Sequence, residues 1–321
     1  GEDVRFELAV RDVPRAARLI VTVYSGDKAL GWAGCPVFRF DEYMQDGDLE
    51  LRLWPGRCSS PMRTSLENLF DSASGSVVLS FGDARSPPVL FTPWGEPLVR
   101  DDSLRLQAAA ARLPVAPELA EAFEAPGMLQ PLTPEQKAVI WEGRYRLSSV
   151  RKALPRFLQS VNWASRDDVA EAYRLLRVWE PPGPLEALQL LDMHYPDPNV
   201  RAYAVVCLER LPDDNLRLFM LQLTQALKFE TFHDSSLARF LLRRALINPR
   251  FLGHMLFWLL KAELHNDDAR DRCGALLEIY VRNCGVHRTG LGHQMFVMRK
   301  LGKVANAVKK LDTNRHSRRV Q

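Results

Sequence analysis

Histidines and cysteines are the residues of this sequence whose side chains could bind a metal ion or supply a nucleophile. The chain contains seven histidines and five cysteines. No two cysteines have CxxC spacing, and His287 and His293 lie too far apart to share one face of a helix. Carboxylates at ligand spacing are absent around four other histidines: His194, His233, His254 and His265. The sequence therefore predicts structural or surface roles for these side chains.

Carboxylates of the N-terminal third are candidate calcium ligands. Ca²⁺ takes about six to eight oxygen ligands, so several carboxylates must converge from neighbouring loops. The candidates are scattered singly among turn signals, where aspartate commonly bonds to nearby backbone. We interpret them as turn residues: Asp41, Asp46, Asp48, Asp71 and Asp83.

Phosphoryl transfer needs a carboxylate that holds a metal ion, a loop around the phosphates and a residue that positions the nucleophile. The sequence contains neither an Asp-Phe-Gly triplet nor a glycine-rich phosphate loop. The run from Asn314 to Ser317, Asn-Arg-His-Ser, has no aspartate to act as a base. We expect no catalytic residue, no metal and no cofactor in this chain.

Basic residues are concentrated near the C-terminal end of the chain. Such a run could contact anionic lipid, or it could be the solvated face of a helix with a frayed end, and we favour the second. The run comprises Arg299, Lys300, Lys303, Lys309, Lys310, Arg315, Arg318 and Arg319.

Composition limits the class of protein. The formal net charge of +4 is spread along 321 residues, which is unlike the dense basic stripe of a nucleic-acid-binding domain. No apolar run approaches the roughly 20 residues of a membrane-spanning helix. The odd number of widely spaced cysteines fits a reducing cytosol. We expect a soluble cytoplasmic protein without a nucleic-acid partner. Because the sequence begins with Gly1 rather than methionine, we also expect a fragment of a longer chain.

The N-terminal third alternates apolar and polar residues with period two, which predicts β-strands. Turn signals such as Ser25-Gly26-Asp27 and Trp54-Pro55-Gly56 separate these runs. We predict an antiparallel β-sandwich over residues 1–100 and a partly helical linker over residues 101–131. The apolar positions of the predicted strands are Phe6, Leu8 and Val10; Leu19, Val21 and Val23; Leu49, Leu51 and Leu53; and Leu79 and Phe81.

Helical signals begin after Pro131. Thr133 and Gln136 form a predicted capping box, and Asp197 or Asn199 can cap a helix that starts near Pro198. Apolar residues then recur with helical spacing. We predict an all-α right-handed superhelix, an armadillo-like solenoid, over residues 132–321. Its apolar stripes include Val200, Ala204 and Leu208; Leu216, Met220, Leu223 and Leu227; and Leu252, Met255, Leu256 and Leu259.

Several stretches match one known family in order. YPDPNVRAYAVVCLERL and QLTQALKFETFHDSSLARFLLRRAL resemble the helical (PIK) domain of phosphoinositide 3-kinase catalytic subunits, most of all the class I alpha type. RFELAVRDVPRAARLIVTVYSG and GWAGCPVFRFDEYMQDGDLELRLWPG resemble the C2 domain of the same subunits. The resemblance covers nearly the whole chain. It implies a C2-like β-sandwich, missing its first strand, followed by the helical domain.

The resemblance also implies a function. The complete catalytic subunit transfers the γ-phosphate of ATP, with Mg²⁺, to the 3-hydroxyl of an inositol lipid, and this span lacks the kinase domain. Its implied role is a non-catalytic scaffold whose partner is its own kinase domain. A regulatory adaptor and peripheral contact with the plasma membrane are further implied partners.

Glu67 is the one partner-binding residue that the resemblance implies. It matches an acidic position at which the C2 domain of class I alpha subunits contacts the coiled coil of the adaptor. In the helical domain of that subtype, two acidic residues contact an SH2 module of the adaptor. Alignment on Trp141 places Pro131 and Pro134 at those two positions. Inhibition through that contact is therefore not expected here.

Two other interpretations remain. The chain could be a stand-alone scaffold without a kinase domain, which differs only in what its gene encodes beyond Gln321. It could instead be an armadillo-type trafficking adaptor, which the ordered matches disfavour.

Overall fold

The computed structural model describes residues 3–58, 65–71, 75–82, 88–91 and 131–317. Within them, one compact unit comprises the residues up to Phe240 together with Asp267–Ala269. A second unit comprises Leu241–Asn266 and the residues from Arg270 onward. The predicted linker, residues 101–131, lies outside the described residues except for Pro131, and the predicted domain limits stay a prediction.

Two small antiparallel sheets are formed by the N-terminal region. One sheet has the order β1-β2-β4 and the other pairs β3 with β5. Gly26, with φ +59, makes the tight turn between β1 and β2 at the predicted position. The strands are β1 (Arg18–Ser25), β2 (Lys28–Pro36), β3 (Gly47–Arg52), β4 (Trp54–Pro55) and β5 (Ser76–Phe81).

Both sheets contribute to one hydrophobic cluster. Ala33 and Cys35 of β2 are buried there beside Leu51 of β3. Burial of this apolar surface from two sheets stabilises their packing. The half-buried members of the cluster are Leu19, Leu49, Leu53, Val77, Leu79 and Phe81.

The predicted strand through Phe6, Leu8 and Val10 is wrong. Val10–Asp12 forms a single 3₁₀ turn, in which the amide of Asp12 donates to the carbonyl of Ala9 at 2.9 Å. Alternation alone does not create a strand, because a strand needs a neighbour for its backbone groups. Phe6 is 68% exposed, so this alternation does not mark a buried face.

Helices make up the described chain from Pro134 onward. They are α1 (Pro134–Glu142), α2 (Arg144–Leu147), α3 (Leu154–Ser160), α4 (Arg166–Val178), α5 (Pro184–Gln189), α6 (Pro198–Leu208), α7 (Asp213–Ala226), α8 (Ser236–Ile247), α9 (His254–Glu263), α10 (Arg270–Asn283) and α11 (His287–Ser317). Short 3₁₀ turns at Arg151–Ala153 and Leu227–Phe229 and a π-helical turn at Pro249–Gly253 interrupt this series.

Local capping chemistry sets several of these helix starts. Thr133 and Gln136 form the predicted capping box at α1, with Pro134 as its first residue. The Ser165 side chain accepts from the amide of Asp168 at α4. Asp197, rather than Asn199, caps α6. These predictions are confirmed because they depend on residues close in sequence.

The predicted apolar stripes form the helical core. Val200, Ala204, Leu208, Leu216, Leu223 and Leu227 have no exposed surface. In the second unit Leu252, Leu256 and Leu260 are buried in the same way. Met255 and Leu259, predicted on that stripe, are only partly buried.

Candidate interface between the sheets and the first helices

Arg15 is the central cation of the contact between the sheet region and the helices of the first unit. Its Nη2 donates to the carbonyl of Arg39 at 2.8 Å and its Nη1 to that of Phe38 at 3.4 Å. Its guanidinium lies 5.1 Å from the ring centre of Phe232, within cation–π range. Burial lowers the pKa of Arg15, and the negative charge of Glu42 opposes that shift. Arg15 thus connects the loop after β2 to the segment before α8.

Aromatic rings complete this contact. Phe40 and Phe232 meet edge to face, with ring centres 5.5 Å apart and an interplanar angle of 80°. On the sheet side, Phe38 packs on Phe91 in a similar way at 5.2 Å. Edge-to-face pairs contribute about 0.5–1.5 kcal/mol beyond their buried area. The rings therefore join parts of the chain that are far apart in sequence.

Asp197 is a fully buried carboxylate at the start of α6. Its Oδ1 accepts from the amides of Asn199 and Val200, each at 3.0 Å. Its Oδ2 accepts from the hydroxyl of Tyr173 on α4 at 2.6 Å. Burial raises the pKa of Asp197, whereas these hydrogen bonds and the charge of Arg15 lower it. The helix cap is therefore also the link between α4 and α6.

Replacing Tyr173 with Phe should lower the free energy of unfolding by about 1–3 kcal/mol, because one oxygen of a buried carboxylate loses its donor. Urea denaturation of the 321-residue chain measures this change. Tyr24→Phe is the matched control: its ring is 47% exposed, and that substitution should change stability by no more than about 0.5 kcal/mol. Equal losses in the two variants would show that the Tyr173 hydroxyl does not stabilise the cap.

Arg201 and Glu230 form a buried ion pair behind this cap. Nε and Nη2 of Arg201 donate to Oε1 of Glu230 at 2.9 and 2.7 Å. The remaining donors contact backbone carbonyls of Leu191, Asp192, Tyr195 and Ala226 at 2.9–3.3 Å. The side chains are 3% and 8% exposed. One guanidinium therefore fixes the α5–α6 and α7–α8 connections.

A cleft of about 320 Å³ opens beside this interface. Its charged groups are largely paired with each other, since Arg201 bonds to Glu230 and Arg239 to Asp234. Within the described chain, Glu42 is the one residue other than glycine with positive φ, at 71°. A non-glycine residue in this region costs about 1–3 kcal/mol. The residues around the cleft therefore form an intramolecular interface.

Comparison with known proteins identifies the family. The sequence profile described as "Phosphoinositide 3-kinase family, accessory domain (PIK domain)" matches residues 116–292, more than half of the chain. The chain belongs to the phosphoinositide 3-kinase family. The match covers Asp197, Arg201 and Glu230.

Relatives from Dictyostelium discoideum extend the match to the sheet region. The chain is 35% identical to phosphatidylinositol 3-kinase 1 over 326 aligned positions, which cover 94% of this chain and 20% of the relative. It is 30% identical to phosphatidylinositol 3-kinase 2, with 99% of this chain and 20% of the relative covered. For phosphatidylinositol 3-kinase 3 the values are 32%, 88% and 17%. The chain thus spans about a fifth of the length of these phosphoinositide 3-kinases.

Glu67, the residue matched to an adaptor contact of the family, lies beside β3. Its Oε1 accepts from the amide of Arg52 at 3.4 Å. The adjacent Asn68 is buried, donates to the carbonyl of Leu53, and accepts from the amide of Phe70. Asn68 thus anchors the segment, while Leu69, which is 58% exposed, remains accessible. These contacts within the chain do not test whether Glu67 binds a regulatory adaptor, and that role stays a prediction.

Pro131 and Pro134, at the positions where the class I alpha subtype has acidic residues, are both exposed. Pro134 is the first residue of α1. Glu135 lies beside it, and hydrogen bonds at the helix start lower the pKa of Glu135. The surface of this chain therefore has proline rings, instead of carboxylates, at these two positions. Loss of the inhibitory adaptor contact stays a prediction.

Two histidines that the sequence places far apart come together. The rings of His254 and His287 lie 5.9 Å apart. His194 is paired with Asp192. Within the described residues, no three histidine, cysteine, aspartate or glutamate side chains group as metal ligands. Over the same residues, no helix is both long enough and apolar enough to cross a bilayer.

The long-range contacts of the interface were not predicted from the sequence, although Asp197 was predicted as a helix cap. Arg15 and Phe232 are separated by more than 200 positions, so no local pattern pairs them. Arg201 carries a weak signal, since a charged residue directly follows Val200 on the buried stripe of α6. That signal could have marked a buried arginine, although it would not have identified Glu230 as its partner.

Proposed function

We propose that this chain is the C2 and helical scaffold of a phosphatidylinositol 3-kinase catalytic subunit. Its role would be non-catalytic, within a protein that phosphorylates the 3-hydroxyl of inositol lipids and acts in phosphatidylinositol 3-kinase signalling. ATP and Mg²⁺ would bind the kinase domain elsewhere in that protein. The family match supports this proposal, and so does the share of each relative that the chain covers. A class I alpha character, a cytoplasmic location and recruitment to the plasma membrane are parts of the proposal.

The proposed architecture has two parts. The sheet region would be a C2-like β-sandwich, which agrees with two antiparallel sheets that share one hydrophobic cluster. The helices would stack as a right-handed, armadillo-like solenoid. Helices with short connections and buried apolar stripes favour that arrangement.

The apolar stripe of α11 is the observation that carries the scaffolding role. Val297, Leu301, Val304 and Val308 are each 53–61% exposed, and they recur at spacings of four, three and four residues. This spacing places them along one side of the helix. A solvent-exposed apolar stripe of this length marks a surface that another element covers.

A kinase domain in the same polypeptide is the proposed occupant of the α11 stripe. The relatives are about five times as long as this chain, so most of each relative lies outside the matched region. Lys300 lies at the edge of the stripe, whereas Arg299 and Lys303 lie on the other side of α11. An acidic rim around an apolar groove would complement this surface. Lys300 would then contact protein rather than bulk solvent.

Leu301→Asp tests the scaffolding role in the full natural reading frame that encodes this chain. A carboxylate in an apolar contact should weaken packing of the covering domain, and we expect lipid phosphorylation to fall roughly tenfold or more. Asn306→Asp is the matched control, because position 306 lies on the opposite side of α11, is exposed, and receives the same carboxylate. Its activity should equal that of the parent. Unchanged activity of the Leu301 variant would contradict the docking surface.

Two outcomes would redirect the proposal. A reading frame without any kinase domain would favour a stand-alone scaffold of the same fold. An assembly on membranes of the trafficking pathway, without lipid phosphorylation, would favour an armadillo-type interaction protein. A regulatory adaptor remains a proposed partner through Glu67, where loss of co-purification in Glu67→Lys would support the contact.

A further inference from the structure

The end of α10 and the start of α11 enclose a buried phenol. The side chain of Tyr280 has no exposed surface. Its hydroxyl lies so close to Gly253 that an added Cβ would be 2.0 Å from Oη and 2.7 Å from the carbonyl oxygen of Ala245. Only glycine leaves room for the phenol there. The position of Oη is therefore fixed by the π-helical turn that precedes α9.

A buried hydroxyl needs a hydrogen-bond partner. Oη of Tyr280 lies 2.9 Å from Nδ1 of His287, the first residue of α11. Burial raises the pKa of Tyr280, so the phenol keeps its proton. A neutral His287 with its hydrogen on Nε2 accepts a hydrogen bond from the phenol at Nδ1. This bond ties the start of α11 to the body of α10.

A second imidazole faces His287. His254, the first residue of α9, has its ring centre 5.9 Å from that of His287, and it also meets Trp258 edge to face. Two imidazolium charges at this separation repel each other. The positive end of the α11 dipole adds a further cost to a charge on His287. Other titratable groups nearby are Cys284 and Arg288, which lie on either side of the corner.

We propose that His254, His287 and Tyr280 form a proton-sensitive clasp that attaches the start of α11 to α9 and α10. In the neutral state the phenol donates to His287. When Nδ1 of His287 takes up a proton, it becomes a donor, and the phenol must turn to accept from it. The phenol proton then loses its acceptor, and the two histidines repel. The start of α11 should therefore loosen on acidification.

The pKa of His287 in the folded chain determines whether the clasp is strengthened or weakened as pH falls. Burial first, and His254 second, lower the pKa of His287 below its ordinary value of 6.5. A lowered histidine pKa means that the unfolded chain takes up the proton at higher pH than the folded chain. The stabilisation is thus complete above pH 6.5 and is lost as pH falls below that value. Any effect of this loosening on a domain docked against α11 rests on the proposed function, whereas the clasp itself does not.

Hydrogen–deuterium exchange of the 321-residue chain at pH 7.5 and 5.5 tests the clasp. After correction for intrinsic exchange rates, protection of the first turns of α11 should fall roughly threefold or more at pH 5.5. His287→Gln keeps an acceptor but does not titrate, so its protection should not depend on pH. His293→Gln, an exposed histidine on the same helix, should behave like the parent. A pH response that survives in His287→Gln, or none in the parent, would overturn the proposal.

Imidazole titration by NMR provides a second measurement if His287→Gln loosens α11 at both pH values. The His287 ring of the unaltered chain should titrate below the ordinary histidine pKa of 6.5. Titration of His287 at or above 6.5 would overturn the clasp. Neither measurement involves lipid phosphorylation, so failure of the clasp proposal can be distinguished from failure of the proposed function.

Discussion

Arg201→Ala should destabilise the chain by about 3–5 kcal/mol, the usual cost of removing one partner from a buried ion pair. The substitution leaves the carboxylate of Glu230 buried without its cation. It also leaves the carbonyl of Leu191, among others, without its donor. Both losses destabilise the folded chain, because water cannot readily reach this buried position to replace the lost hydrogen bonds. Urea denaturation followed by circular dichroism measures the change.

Arg217→Ala is the control for the Arg201 prediction. Arg217 is an exposed arginine on α7, and its removal should change stability by no more than about 0.5 kcal/mol. The Glu230→Gln variant separates charge from hydrogen bonding, since the amide oxygen can still accept from Arg201. A loss for Arg201→Ala no larger than that for Arg217→Ala would mean that the pair does not hold these connections.

Leu256→Ala should cost about 2–5 kcal/mol, the range for a leucine-sized cavity in a packed interior. Leu256 is 1% exposed and lies between the buried Leu252 and Leu260 of the second unit. Lys303→Ala, on α11 of the same unit, removes an exposed side chain and should change stability by no more than about 0.5 kcal/mol.

Denaturant unfolding of both variants compares core with surface directly. Equal effects, or a larger effect for Lys303→Ala, would mean that the buried side of α9 has been assigned wrongly. Tenfold-diluted protein should give the same midpoints, which excludes a contribution from association.

The helices could be predicted from the sequence because their signals are local. Thr133 and Gln136 lie three positions apart, and Asp197 directly precedes the proline that starts α6. Such side chains meet the backbone within one turn, so tertiary structure does not alter them. The alternation around Phe6 was misleading for the opposite reason. A strand depends on a neighbour, and alternation specifies only which side chains share a face.

The interface could not be predicted in the same way. Arg201 and Glu230 are 29 positions apart, and Arg15 meets Phe232 across a much longer separation. Their pairing depends on how the connections between helices return to one another. His254 and His287 likewise meet through the packing of α9 and α11, although no helical spacing relates them. Family resemblance located Glu67, but resemblance alone does not show what Glu67 contacts.

Lipid phosphorylation is the measurement that tests the proposed function most directly. The full natural reading frame and the 321-residue chain would each be incubated with phosphoinositide vesicles, Mg²⁺ and labelled ATP. We predict 3-phosphorylated lipid from the full reading frame and none from the chain alone, because the proposed role of this region is that of a scaffold without the phosphoryl-transfer site. Phosphorylation by the 321-residue chain itself, or its absence from the full reading frame, would contradict the account.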